Sequence, residues 1–272
     1  MKPRPFDYVR PETVEEALAL LAEYGDDGRV LAGGQSLVPM LNLRLIEAEV
    51  LIDISRMAAL AVISDLGRLI EIGAAVTQNE LMAWPPLAEK LPLVAAALPL
   101  VGHFQTRNKG TICGSIAHAD PSSEIPLALA VLGGEVVLRS ARGGRVLAAS
   151  DFQKDILSTA RAADELIVAV RLPVAAKSGA GFKEAARRHG DFAMIAVAAV
   201  TEDNETVRLG VGGMAGRPLV RRFAAKDADT AIAQWADELE GYDDLQASAA
   251  LRRDLFRGLA PQAVAEALRC AA

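Results

Sequence analysis

Cysteine is almost absent: Cys113 and Cys270 are the only two in 272 residues. That scarcity excludes a disulfide framework, a four-thiolate zinc site and an iron–sulfur cluster held by this chain alone. Histidine is nearly as rare, and His103, His118 and His189 stand at no metal-ligand spacing, so no intrinsic metal site is expected. Aromatic residues make up 4%, which leaves few platforms for stacking bases. Basic charge is not in excess either. The 29 Lys and Arg against 35 Asp and Glu give a net charge of −6, and the pairs Arg187-Arg188 and Arg221-Arg222 are too short to reverse it, so no nucleic-acid partner is expected. The apolar stretches from Leu91 to Val101 and from Ile125 to Leu132 are too short to span a bilayer and contain proline. No apolar run follows the N-terminal charges as in a signal peptide. A cytoplasmic protein without a transmembrane segment is the resulting expectation.

What is present is an ordinary globular composition, 51% hydrophobic and 24% charged, in a length that suits one large domain or two modest ones. The first third reads as β-α-β-loop-α-β. A strand from Phe6 to Arg10 precedes a helix opened by Thr13-x-x-Glu16, and Val30-Leu31-Ala32 runs into Gly33-Gly34-Gln35-Ser36. A short helix over Leu37 to Leu45 and a strand over Val50 to Ile54 complete it. Beyond that, Leu69 to Val76 reads as a strand, Thr77-x-x-Glu80 as a helix cap, and Leu93 to Val101 as a helix. Residues 102–124 form a polar, small-residue segment too long for an ordinary connector. A helix over Ile125 to Leu132 follows, then a hairpin around Gly143-Gly144 and a strand from Glu165 to Leu172. The stretch from Pro173 to Gly181 is the best candidate domain boundary. After it, three strands are expected over Gly181 to Arg187, Ala193 to Thr201 and Val207 to Gly213, the Ala-rich middle one being equally compatible with a helix. The tail from Asp227 to Cys270 reads as helical, with breaks near Gly241 and Pro261.

Two glycine-containing loops are the chemical candidates. In Ala32-Gly33-Gly34-Gln35-Ser36, the missing β-carbons let a ligand approach the backbone, and successive N–H groups can converge on an anion, with Ser36 adding a hydroxyl. Thr111-Ile112-Cys113-Gly114-Ser115 carries a hydroxyl on each side of a turn. Either loop alone also reads as a plain tight turn. Together they could clamp a pyrophosphate from both sides. Neither is a G-x-G-x-x-G fingerprint, and Gly210-x-Gly212-Gly213-x-x-Gly216 leads into Arg217-Pro218 and reads as a strand end.

The first loop, the run from Thr106 to Pro121 and the Lys183…Asp191-Phe192-Ala193 segment match one family in order and spacing. The chain resembles the FAD-binding medium subunit of the molybdenum hydroxylases, the group that includes carbon monoxide dehydrogenase and the flavin domain of xanthine dehydrogenase. The resemblance implies an α+β fold: a two-part FAD-binding domain of the vanillyl-alcohol-oxidase (PCMH) type over residues 1–176, divided near 56/57, followed by a small α+β C-terminal domain over 177–272. It places Ala32, Gly33, Gly34, Gln35, Ser36 and Leu37, with Thr111, Cys113, Gly114 and Ser115, around the pyrophosphate and ribityl chain. It further implies Glu124 near the adenosine, Ile167 at the adenine, Lys183 beside the flavin and Phe192 against the isoalloxazine ring. Many members read T-I-G-G-S where this chain has T-I-C-G-S, so Cys113 adds a thiol beside the proposed cradle. His118 would either approach the flavin as a hydrogen-bond donor or proton carrier, or satisfy loop carbonyls. Implied partners are a large subunit carrying the molybdopterin cofactor and a small subunit carrying [2Fe-2S] clusters, assembled as a dimer of heterotrimers. FAD on this chain would relay electrons from the clusters to an external acceptor. Two other readings are a non-catalytic scaffold that keeps the flavin fold and a self-sufficient flavin oxidase.

Overall fold

A computed structural model describes residues 1–175, 178–202 and 205–270. The expected boundary at 176/177 lies outside the described residues. The chain begins with β1 (Asp7–Val9), α1 (Val14–Tyr24), β2 (Gly28–Leu31), α2 (Leu37–Asn42) and β3 (Val50–Asp53), whose strands form a parallel sheet in the order β1-β3-β2. Central β3 is buried throughout, as a parallel strand covered on both faces should be. Helix α1 buries Val14, Ala17, Leu18 and Leu21, one stripe at helical spacing. Thr13 accepts from the Glu16 N–H at 3.2 Å, while the Glu16 carboxylate reaches past Thr13 to the Glu12 N–H at 2.8 Å.

The middle of the chain supplies β4 (Ile63–Asp65), β5 (Leu69–Gly73), α3 (Gln78–Met82), α4 (Leu87–Lys90), α5 (Pro92–Ala97), α6 (Phe104–Arg107), α7 (Ile112–His118) and α8 (Glu124–Leu132). It continues with β6 (Glu135–Ser140), β7 (Gly143–Ala148), α9 (Ala149–Phe152), β8 (Gln153–Asp155), β9 (Ser158–Thr159) and β10 (Leu166–Pro173). Five of these strands make an antiparallel sheet, β4-β5-β10-β6-β7, and β8 pairs with β9. Three expectations change here. The polar segment 102–124 is not one loop, because Thr111 caps α7 and the residues before it fold into α6. The hairpin turns at 141–142, and Gly143 and Gly144 belong to β7, paired with Ser140 and Arg139. Strand β4, too short to show a period, precedes β5.

The last part is a four-stranded antiparallel sheet of β11 (Ala180–Ala185), β12 (Ile195–Glu202), β13 (Thr206–Gly212) and β14 (Leu219–Ala224), with α10 (Ala228–Glu238) and α11 (Ala249–Cys270). The Ala-rich segment is therefore strand β12, and β14 is an additional strand. Alternate residues of β12 enter two cores: Ala196 and Ala198 join the one shared with α5 and α8, and Ile195, Val197 and Ala199 pack under α10 and α11. Small side chains let a central strand be covered on both faces. Helix α11 continues through Pro261. An interior proline costs roughly 3 kcal/mol, and the burial of Ala260, Ala263, Val264 and Ala267 offsets it.

Candidate functional site

The two glycine loops meet. The first leaves β2, and Gly33 presses so closely on the second that a β-carbon there would lie 2.1 Å from the Lys109 carbonyl oxygen and 2.7 Å from Gly110 Cα. The following Gly34 has φ +68°, a left-handed conformation that favours glycine. The Gln35 amide folds back and donates to the Gly33 carbonyl at 2.9 Å. No partner within the described residues takes the N–H groups of Gly33, Gly34, Gln35 and Ser36, and the Ser36 hydroxyl does not cap α2. The second loop is fixed from behind: the Gln78 N–H donates to the Gly110 carbonyl at 2.8 Å, the Ile112 N–H to the Val76 carbonyl at 3.3 Å, and Thr77 forms an isolated bridge with Thr111. A full capping box between Thr77 and Glu80 anchors that support.

These loops line a cleft of about 480 Å³, within the range of small-molecule sites. All the residues singled out above line it except Lys183. Two of these lining residues, Thr111 and Cys113, do so differently from expectation, and Lys183 is turned away. The buried Thr111 hydroxyl caps its own helix, accepting from the Gly114 N–H at 2.9 Å. Cys113 does not require a positive φ, and its thiol turns inward, 3.6 Å from the Ile72 carbonyl, where burial raises its pKa and keeps it neutral. Its backbone alone is left to face the cleft. Lys183 is on the opposite face of β11, ion-paired with Glu266 of α11 at 2.5 Å. Strand alternation decides this: one residue's shift of parity reverses the side.

The remaining walls come from scattered elements. Ile167 is on β10 at a register shift before Ala169, and such bulges re-aim side chains. Beside it, Arg161 donates to the carbonyls of Ala162, Ala163 and Glu165, and Glu165 is held by Arg145 at 2.6 and 2.7 Å. Arg107 donates to the Pro99, Val101 and Gly102 carbonyls and so shapes another wall. Burial lowers the pKa of His118, with Asp120 opposing, which favours the neutral imidazole. Asp120 itself makes the turn before α8, accepting from the Ser122 N–H at 2.8 Å. Phe192 stands half exposed at the rim. Sequence reasoning missed Arg29 and Arg161, which belong to no local pattern, and used Gln78, Arg107 and Asp191 only as parts of longer motifs.

A backbone cradle that a β-carbon would fill, beside four amides without partners, suits a diphosphate, and the apolar side chains of Ile54 and Ile167 suit flat rings. Comparison with known proteins agrees with that chemistry. Residues 4–175 match the family described as the FAD binding domain in molybdopterin dehydrogenase. The chain belongs to this family. It is 40% identical to the 6-hydroxypseudooxynicotine dehydrogenase complex subunit alpha of Paenarthrobacter nicotinovorans, over 75% of this chain and 70% of that one. It is 35% identical to the nicotine 6-hydroxylase medium subunit of the same organism, over 98% and 99%. Among solved structures, a carbon monoxide dehydrogenase from Hydrogenophaga pseudoflava lacking the Mo-pyranopterin moiety superimposes with a TM-score of 0.94 at 31% identity, covering the whole of both chains. The fold is thus that of a flavin-binding oxidoreductase subunit, and its cofactor is FAD. No helix among the described residues is long and apolar enough to cross a membrane.

Proposed function

We propose that this chain is the electron-relay subunit of a heterotrimeric molybdenum hydroxylase, receiving electrons from iron–sulfur clusters on a small partner and passing them through FAD to an external acceptor. The oxidised substrate would then be handled by a large molybdenum-containing partner, and two such trimers would assemble in the cytoplasm. The observation that carries this reading is the meeting of Gly33 with Lys109 and Gly110, which brings unpaired amides from one loop against the backbone of the other. Relatives named as the medium subunit of a nicotine 6-hydroxylase and the medium chain of a carbon monoxide dehydrogenase support the partners. The division of labour fits the composition, since two separated cysteines, one buried in the core, cannot ligate a cluster.

In this reading residues 1–176 form the two-part flavin domain and 177–272 the smaller one. The amides of Gly33 to Ser36 hold the pyrophosphate, Cys113 to Ser115 line its other side, Ser36 and Ser115 add hydroxyls, and Ile167 packs on the adenine. Phe192 covers the flavin ring. FAD supplies the electron chemistry, and the chain supplies binding, orientation and shielding.

The test is the visible spectrum of the purified complex. Flavin should be present at one per copy of this chain. Replacing Gly34 or Gly114 by valine should remove it while cluster and molybdenum content remain, because a β-carbon at Gly114 would stand 2.8 Å from the Thr111 hydroxyl. A folded, colourless wild-type chain in a complete complex would refute the reading.

A further inference from the structure

The strand that turns Lys183 away turns its neighbour inward. Glu184 pairs with Ala196 across the β11–β12 ladder and Lys183 with Val197. Ala196 belongs to the core shared with α8, and Val197 to the core under α11. Glu184 therefore faces the flavin domain, with one carboxylate oxygen sealed from solvent and without a hydrogen-bond partner. Its electrostatic neighbour is Glu124, in the first turn of α8, which is 4% exposed, lines the cleft, and has no side-chain partner of its own.

Among the described residues, no cation neutralises the pair. Asp120, ahead of α8, adds a further negative charge. His118, at the end of α7, is kept neutral by burial. Lys183 is committed to Glu266, Arg208 of β13 to the Val131 carbonyl and Glu202 at the far end of α8, and Arg171 of β10 to Glu71. On β14, Arg221 and Arg222 pair with Glu238 and Glu202. With Glu124 4% exposed and one oxygen of the half-buried Glu184 sealed without a hydrogen-bond partner, ionising both neighbouring carboxyls is disfavoured.

We propose that Glu124 meets the bound flavin nucleotide as a neutral carboxylic acid, donating a hydrogen bond, and that Glu184 is the positioning residue that holds this proton in place. The inference rests on the FAD reading above. Burial pushes the Glu184 carboxyl up to about 7, and burial first, then the charges of Glu184 and Asp120, together push Glu124 up to about 7. Above that pH the donor becomes an anion in the cleft that takes a negatively charged nucleotide, and flavin binding weakens.

The experiment is titration of the deflavinated complex with FAD, followed by flavin fluorescence, from pH 6 to pH 8. With one ionisation near the middle of that range, Kd should rise about tenfold in the wild type. Glu124→Gln, which keeps an N–H donor and cannot ionise, should flatten the profile. Glu184→Gln should move its midpoint to lower pH, a change that a merely structural role for Glu184 would not produce. If wild-type Kd is the same at both ends, or if Glu184→Gln binds flavin with an unmoved midpoint, the proposal is overturned while the FAD reading stands. If wild type binds no flavin at any pH, the FAD reading itself fails.

Discussion

Substituting alanine for Gly33 is the smallest change that addresses how the two loops grip the cofactor. The added carbon would sit 2.1 Å from the Lys109 carbonyl oxygen and 2.7 Å from the Lys109 carbonyl carbon and Gly110 Cα, where ordinary contact begins at 3.4 Å. Every one of these atoms is backbone, and the second loop is tied from behind by the Gln78 and Ile112 amides. The loops must then separate by about 1 Å, which costs roughly 1–3 kcal/mol of folding stability, as overpacking does. Moving the amides that far from a phosphate oxygen loses one charge-assisted hydrogen bond, about 1.5–3 kcal/mol, so Kd for FAD should rise roughly 10- to 100-fold. Flavin fluorescence titration of deflavinated protein measures the affinity, and circular dichroism melting measures stability separately. Gly258→Ala is the control: it lies in α11 with open space at its β-carbon and should raise helix stability by up to about 1 kcal/mol with FAD affinity unchanged. Full flavin content and unaltered affinity in Gly33→Ala would refute the contact between the loops as the basis of binding.

Further expectations concern supports at a distance from the cleft. Arg252 is 1% exposed, pairs with Asp244 at 2.7 Å, and donates to the Gly213 carbonyl at 2.8 Å and to the Met194 carbonyl. Arg252→Met leaves those groups unpaired and should cost about 3–5 kcal/mol in urea denaturation. Thr77→Ala removes one half of the capping box behind the second loop and should cost about 1 kcal/mol, read from the same denaturation curves. The hydrogen bonds from Arg145, aided by the Ala162 amide against the opposing effect of burial, hold the Glu165 carboxyl below its ordinary pKa. A depressed carboxylate stabilises the fold above its unfolded pKa and loses that contribution as pH falls through the folded one. Melting temperature below pH 4.5 should therefore decline less steeply in Glu165→Gln than in wild type.

Legibility in the sequence followed how local each determinant is. The first loop was readable because a short apolar strand, two glycines and a serine need only their own neighbours to make a backbone cradle. Helix α1 and the Thr77 box were readable from caps and period. Lys183 was misplaced because the face a strand residue occupies depends on register within a sheet, and β11 is at its edge. Arg161 and Arg107 were not singled out because each serves by gripping carbonyls of its own vicinity, a role with no residue pattern. Pro261 marks the opposite limit: a strong local breaker is overruled by the core beneath α11.

The small sheet also bears on the cleft, through α8. Helix α8 lies against β12 and β13, and it begins at Glu124, whose side chain reaches the site. Close approach depends on Gly210 of β13, where a β-carbon would meet Val131 Cγ2 at 2.2 Å and Leu127 Cδ1 at 3.0 Å. Gly210→Ala should thus lift α8 and cost about 1–3 kcal/mol. Val131→Ala opens space at the same point and should also destabilise when made alone. Combined, the two should cost less than their sum, with a coupling of about 0.5–3 kcal/mol, because the new methyl occupies the vacated volume. FAD affinity, lowered in Gly210→Ala by the displaced start of α8, should recover in the double variant. Strict additivity in stability, or flavin affinity indifferent to both changes, would mean that β13 does not set the position of α8.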